Sequence, residues 1–160
     1  MNGIAIILRA LYDGERRMER ELLAAADRHR ADHEVHHVAT DVARWSHEHA
    51  ERIARTARHY GLDLPGPAGE PGAGPSAPVG RHPAEQAPGT GLPLLDDLCG
   101  LHLAATGNSL HWEMLARLAQ AAREDRLLGL ATACHPQTLR QMRWTDTVIK
   151  TLSPQLLAGA

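Results

Sequence analysis

The sequence contains no phenylalanine, only 2 tyrosines, 3 tryptophans and 2 cysteines in 160 residues. With so few aromatics the core falls to alanine and leucine, which suit close helix packing far better than a sheet. The two cysteines, Cys99 and Cys134, have no C-x-x-C spacing and cannot make a disulfide framework. They read as core thiols in a reducing compartment. An excess of either charge is missing too, since 17 basic residues stand against 19 acidic ones. There is no global basic field to attract nucleic acid or anionic lipid, so neither is an expected partner. Long apolar runs are also lacking. The opening "IAIIL" is apolar for five residues, follows no basic segment and leads into charged sequence. It is expected to be neither signal peptide nor membrane span, and the expected location is the cytoplasm. No nucleophile with an adjacent base, Gly-rich phosphate loop or Cys/His zinc cluster is visible, which leaves hydrolase and nucleotide-binding functions without support.

What remains organises into helices. A chain of 160 residues supports one well-buried core. Residues 3–28 place Ile4, Leu8, Leu11, Met18, Leu22 and Ala25 on one helical face, and no proline interrupts them. After a polar turn, with Asp32 as N-cap, a second helix is predicted from about His33 to Tyr60 on the stripe Val35, Val38, Val42, Trp45, His49, Ile53, Ala57 and Tyr60. Gly61 ends it in the left-handed position. From Gly61 to Pro93 the chain holds eight of its ten prolines and eight of its fourteen glycines. That density of breakers predicts a flexible crossover over 61–92 with little regular structure. A third helix resumes near Leu94 and stops around the polar "REDR" at 123–126. The fourth starts at Leu127 and is predicted to break near Pro136, because proline is costly inside a helix, and to restart with His135 near the cap. Two helical hairpins joined by a long crossover outline a single four-helix bundle, and this spacing permits a ferritin-like topology.

Within "LYDGERRME", residues 11–19, Leu11 and Met18 bracket Glu15 at helical spacing, so a carboxylate points into the core. By the same 100° count His49 lies mid-stripe on the second helix, at nearly the same height as Glu15. A core carboxylate needs a metal ion, a histidinium or a guanidinium beside it, and Arg140 and Arg143 are the available arginines. Glu113 sits on the flank of the third stripe, beside Trp112. Most other histidines, including His33, His36, His37, His47 and His59, scatter around the outward side of the second helix. Glu34 and His37 make the only E-x-x-H and read as part of a surface charge ladder, and His47 with Glu51 also faces outward. Arg140, Arg143 and Trp144 in "HPQTLRQMRWT" form either an anion-recognition patch or a solvated basic face.

The segments "LYDGERRMERELLAAA" and "HAERIARTARHYGLDLP" resemble ferritin-like proteins of the YciE/YciF type, and "HWEM" at 111–114 is similar to that family's His-Tyr-Glu. The resemblance implies a ferritin-like four-helix bundle, a homodimer, a link to stress responses and a di-metal centre. It matches Glu15, His49 and Glu113 to metal ligands. The chain departs from the family where Trp45 stands in place of a bridging carboxylate, and where Gln137, Thr138 and Gln141 replace acids. A di-iron centre needs about four carboxylates, so the set Glu15, His49 and Glu113 would hold at most one ion, with zinc favoured over iron. Two functions follow as expectations: a non-catalytic scaffold or interaction protein with a protein partner, or a metal-dependent oxidoreductase or metal-handling protein.

Overall fold

A computed structural model describes residues 2–65 and 91–159, and among these the chain is all helical, without strands. Four helices follow in order: α1 (Gly3–Arg28), α2 (His33–Arg58), α3 (Leu92–Ala122) and α4 (Asp125–Ala158). The predicted span of the first helix matches α1. Asn2 caps it by accepting from the Ile4 N–H at 3.0 Å, and Asp32 caps α2 by accepting from the Val35 N–H at 3.1 Å. Past the end of α2, Gly61 takes φ +71°, as its position after the helix required. The next residues remain docked, and Leu64 is buried in the core. The rest of the expected flexible crossover, 66–90, lies outside the described residues.

The expected break at Pro136 does not occur. α4 runs unbroken for 34 residues with both Pro136 and Pro154 inside it. Each proline deletes the hydrogen bond to the carbonyl four residues earlier, and those residues, Thr132 and Lys150, both lie on the exposed side. At exposed positions water can take the place of the missing donor, so the helix need not be interrupted there.

α1 packs on α2 and α3, and α4 packs on α3 and α2, which leaves α1 diagonal to α4 and α2 diagonal to α3. The end of α1 meets the start of α3 where Asp97 takes His29 at 2.6 Å and Arg28 at 3.0 Å. The end of α2 meets the start of α4 where the Tyr60 hydroxyl donates to Glu124 at 2.9 Å. All adjacent helices are thus antiparallel, whereas α2 and α3 run in the same direction. The chain between them joins opposite ends of the bundle.

One close approach fixes the spacing of α1 and α3. The Asn108 amide donates to the Gly14 carbonyl at 3.2 Å, and a Cβ at position 14 would run into the Asn108 side chain. Gly14 is therefore required by packing, which offsets the helix propensity it gives up.

Candidate functional site

The apolar core is divided in two. One cluster gathers Leu8, Leu11, Ile53, Trp112, Leu115 and Leu127; the other gathers Met18, Leu22, Ala39, Val42, Leu101 and Ala105. Between them, at one level of the bundle, every helix turns a polar side chain inward: Glu15 from α1, Ser46 and His49 from α2, Asn108 and Ser109 from α3, Thr138 and Gln141 from α4. A layer with no access to water must satisfy its polar groups internally.

Glu15 and His49 are the centre of this layer, at 0% and 1% exposure. One carboxylate oxygen, Oε1, accepts from the indole N–H of Trp112 at 3.0 Å and, more loosely, from the Thr138 hydroxyl at 3.5 Å. The His49 Nδ1 atom lies 3.3 Å from that same oxygen, close enough for an ion pair but not aligned as a hydrogen bond. The second oxygen, Oε2, has no donor. On the far side of the ring, His49 Nε2 stands 2.7 Å from Gln137 Oε1. An amide oxygen only accepts, so Nε2 carries a proton. With a bare Nδ1, two lone pairs would oppose each other across 3.3 Å; a proton or a cation between the groups removes that repulsion. The indole of Trp112 meets the His49 ring edge-on, with centroids 5.9 Å apart, and closes this part of the layer.

A turn further along, the Gln141 amide donates to the Val42 carbonyl at 3.0 Å and to Ser46 Oγ at 2.9 Å. Ser109 Oγ lies 2.8 Å from His135 Nε2, and His102 Nδ1 lies 2.8 Å from Thr145 Oγ1. Burial pushes the Cys134 thiol up to about 12, with the Arg52 charge opposing and the Glu15 charge assisting. It is an unreactive core group, as expected for a thiol in apolar surroundings.

Of the residues predicted for the site, the structure brings together Glu15 and His49. Glu113 is exposed, and Trp112, one residue earlier, takes the inward position. The proposed set Glu15, His49 and Glu113 therefore does not converge. Arg140 and Arg143 are also exposed, so neither compensates Glu15, whereas Trp144 is half-buried against the second cluster. The two arginines therefore face solvent while the indole turns partly toward the core. Trp45 is only partly buried on the flank, and Ser46 occupies the inward place that the sequence pattern assigned to it. His33, His37 and His59 are exposed as predicted. His47 bridges Glu19 at 3.0 Å and Glu51 at 3.1 Å on the surface, and the His36 ring reaches the Ala26 carbonyl at 2.8 Å.

Among the described residues, no group of three or more His, Cys, Asp or Glu side chains is arranged to hold a metal ion. A two-metal centre of the ferritin-like kind draws on carboxylates from all four helices. Here the layer offers one carboxylate and one imidazole, with amides, hydroxyls and an indole elsewhere, so the donor set does not fit a metal pair. Compared with known proteins, the chain matches no family model, no curated protein and no solved structure.

Proposed function

We propose that this chain is a ferritin-like bundle in which a hydrogen-bonded polar layer stands where a metal centre would be, and that it serves as a non-catalytic scaffold or interaction protein. The connection joining opposite ends of the bundle supports the ferritin-like topology, and the inward polar residues stand at mid-height. The indole of Trp112 donating to Glu15 carries the functional reading. It occupies space and a carboxylate lone pair that a second metal would need, while Gln137, Thr138 and Gln141 supply no negative charge. By the resemblance noted above, such a scaffold serves a stress response.

One observation favours a metal-handling alternative: Glu15 Oε2 and His49 Nδ1 are both buried without a hydrogen-bond partner. Together they give a single ion two protein donors, one fewer than the three protein ligands of a zinc site with an open position. Elemental analysis of protein purified without a metal-affinity tag separates the two. The scaffold reading expects at most one transition-metal ion per chain and no catalysed Fe(II) oxidation. One bound ion lost in Glu15→Gln would favour the metal-handling alternative. Two irons per chain, or turnover, would sink the scaffold.

A further inference from the structure

We propose that His33 and His37, on the outward face of α2 at its start, are a two-ligand site for a borderline divalent cation, Cu(II) before Ni(II) or Zn(II), separate from the polar layer. Four of the 11 histidines fall within residues 29–37, around the α1–α2 turn. Two of them, His33 and His37, stand one helical turn apart, so their side chains leave α2 on the same face. Their rings lie nearly parallel, with centroids 6.2 Å apart and 15° between the planes. Both are exposed.

What these two rings lack sets them apart. Most of the described histidines hold a protein group on a ring nitrogen: His29 pairs with Asp97, His47 bridges two glutamates, and His59 accepts from Arg126 at 3.1 Å. His33 and His37 have neither a hydrogen bond nor an ion pair with any described residue. Their nitrogen lone pairs therefore stay open to an outside cation. His36 donates its Nδ1 proton to the Ala26 carbonyl at 2.8 Å, and its ring meets that of His37 edge-on at 5.3 Å. This fixed ring narrows the range open to His37 and lowers the ordering cost of chelation.

Histidines at i and i+4 are the spacing by which one helix gives two nitrogens to one metal ion. Each nitrogen must come to about 2.0–2.1 Å from the ion. Exposed rings reach that distance by rotating about side-chain bonds, without movement of the backbone. Imidazole suits copper, nickel and zinc, and affinity for a given donor set peaks at Cu(II). Two donors are one fewer than an open zinc site uses, so water completes the site and Cu(II) is the ion expected to hold. The positive end of the α2 dipole opposes a cation here. The carboxylates of Asp32 and Glu34 offset it, and Glu34 has no ion-pair partner among the described residues. Along α2 the pair stands about 20 Å from His49, so an ion there leaves the polar layer untouched.

Calorimetric titration of the full untagged chain with Cu(II) alone should show one site per chain that is stronger than any other. His33→Ala and His37→Ala should each weaken it at least about tenfold, because the second donor acts at high effective concentration, and should leave the helical content unchanged. The two donors converge only on a folded helix, so Cu(II) should raise the melting temperature of the wild type and not that of either variant. His59→Ala should bind as the wild type does. Absence of binding, binding unchanged in either single variant, or equal stabilisation of wild type and variants would each overturn the proposal. Equal weakening by His59→Ala would overturn it in favour of adventitious binding to surface imidazoles. An ion lost in Glu15→Gln and kept in His37→Ala would overturn it in favour of the polar layer. The scaffold reading stands or falls separately: two irons per chain would sink it and leave this site, whereas loss of this site would leave the scaffold.

Discussion

The two hairpins contribute alike to the interior and differ on the outside. The outer faces of α1 and α2 are laced with ion pairs, among them Arg17–Glu21, Arg30–Asp27, Arg44–Asp41 and the Glu19–His47–Glu51 bridge. The outer faces of α3 and α4 carry Leu103, Leu110, Met114, Leu139 and Leu157 in water, with glycines and prolines inside the helices. Surface ion pairs add little to stability, so the contrast does not mean that one hairpin is held more firmly. It means that the first hairpin covers most of its outer face with ion pairs, Ile6 and Leu23 excepted, whereas the second leaves more of its apolar side chains in water.

If the interiors are equivalent, damage to the polar layer should hurt equally from either side. The largest effect is expected for His49→Ala, which opens a cavity and removes the imidazole that lies beside the buried Glu15 carboxyl. Breaking such a pair costs about 3–5 kcal/mol, measurable by urea unfolding. The double variant with Glu15→Gln should cost less than the two single losses added together. Additive costs would show that the two side chains are not coupled. From the other hairpin, Trp112→Phe keeps most of the ring volume but removes the donor to Glu15, and should cost about 1–3 kcal/mol. A neutral result would mean that Oε1 finds another donor, and the equivalence of the two hairpins would fail at this layer.

A pH titration sharpens the comparison further, because the buried Cys134 belongs to the second hairpin. Its folded-state value lies above the unfolded one, so the stability it contributes is complete below pH 9.0 and is lost as pH rises toward about 12. Wild-type stability should fall across that window, and Cys134→Ala should flatten the fall relative to wild type. An identical slope in the variant would assign the alkaline loss to other groups. The smallest effect is expected at the α3–α4 turn, where Arg123 adopts φ +56° without being glycine. Left-handed backbone costs a side chain roughly 1–2 kcal/mol, so Arg123→Gly should raise stability by about 1 kcal/mol. A drop in melting temperature would show that the arginine side chain contributes more than its backbone gives up.

The first hairpin was legible because its apolar and charged residues alternate with a clear period: the span of α1, the cap at Asp32, the turn at Gly61 and the inward direction of Glu15 and His49 all follow from it. Hydropathy failed inside the polar layer. It placed Trp45 inward over Ser46 because tryptophan is the more apolar, although the neighbours at that height are Gln141 and the Val42 carbonyl. In α3 the period placed Trp112 on the stripe and Glu113 on its flank, as the structure has them; Glu113 entered the ligand set through the resemblance at "HWEM", not through the spacing. The continuity of α4 was hidden for another reason. The cost of Pro136 depends on whether the orphaned carbonyl faces solvent, which is a property of the packed bundle.

The split core also sets the heights of the helices. Leucine and alanine can slide past one another with little change in contact, so a purely apolar bundle tolerates a helix displaced by one turn, about 5.4 Å. Here such a slip would drive Glu15 into the leucines on either side and strand the Trp112 indole, at a cost of several kcal/mol. It would also press Asn108 against a stretch of α1 without a glycine. The polar layer thus acts as a detent, excluding near-native stackings that the two apolar clusters alone would accept.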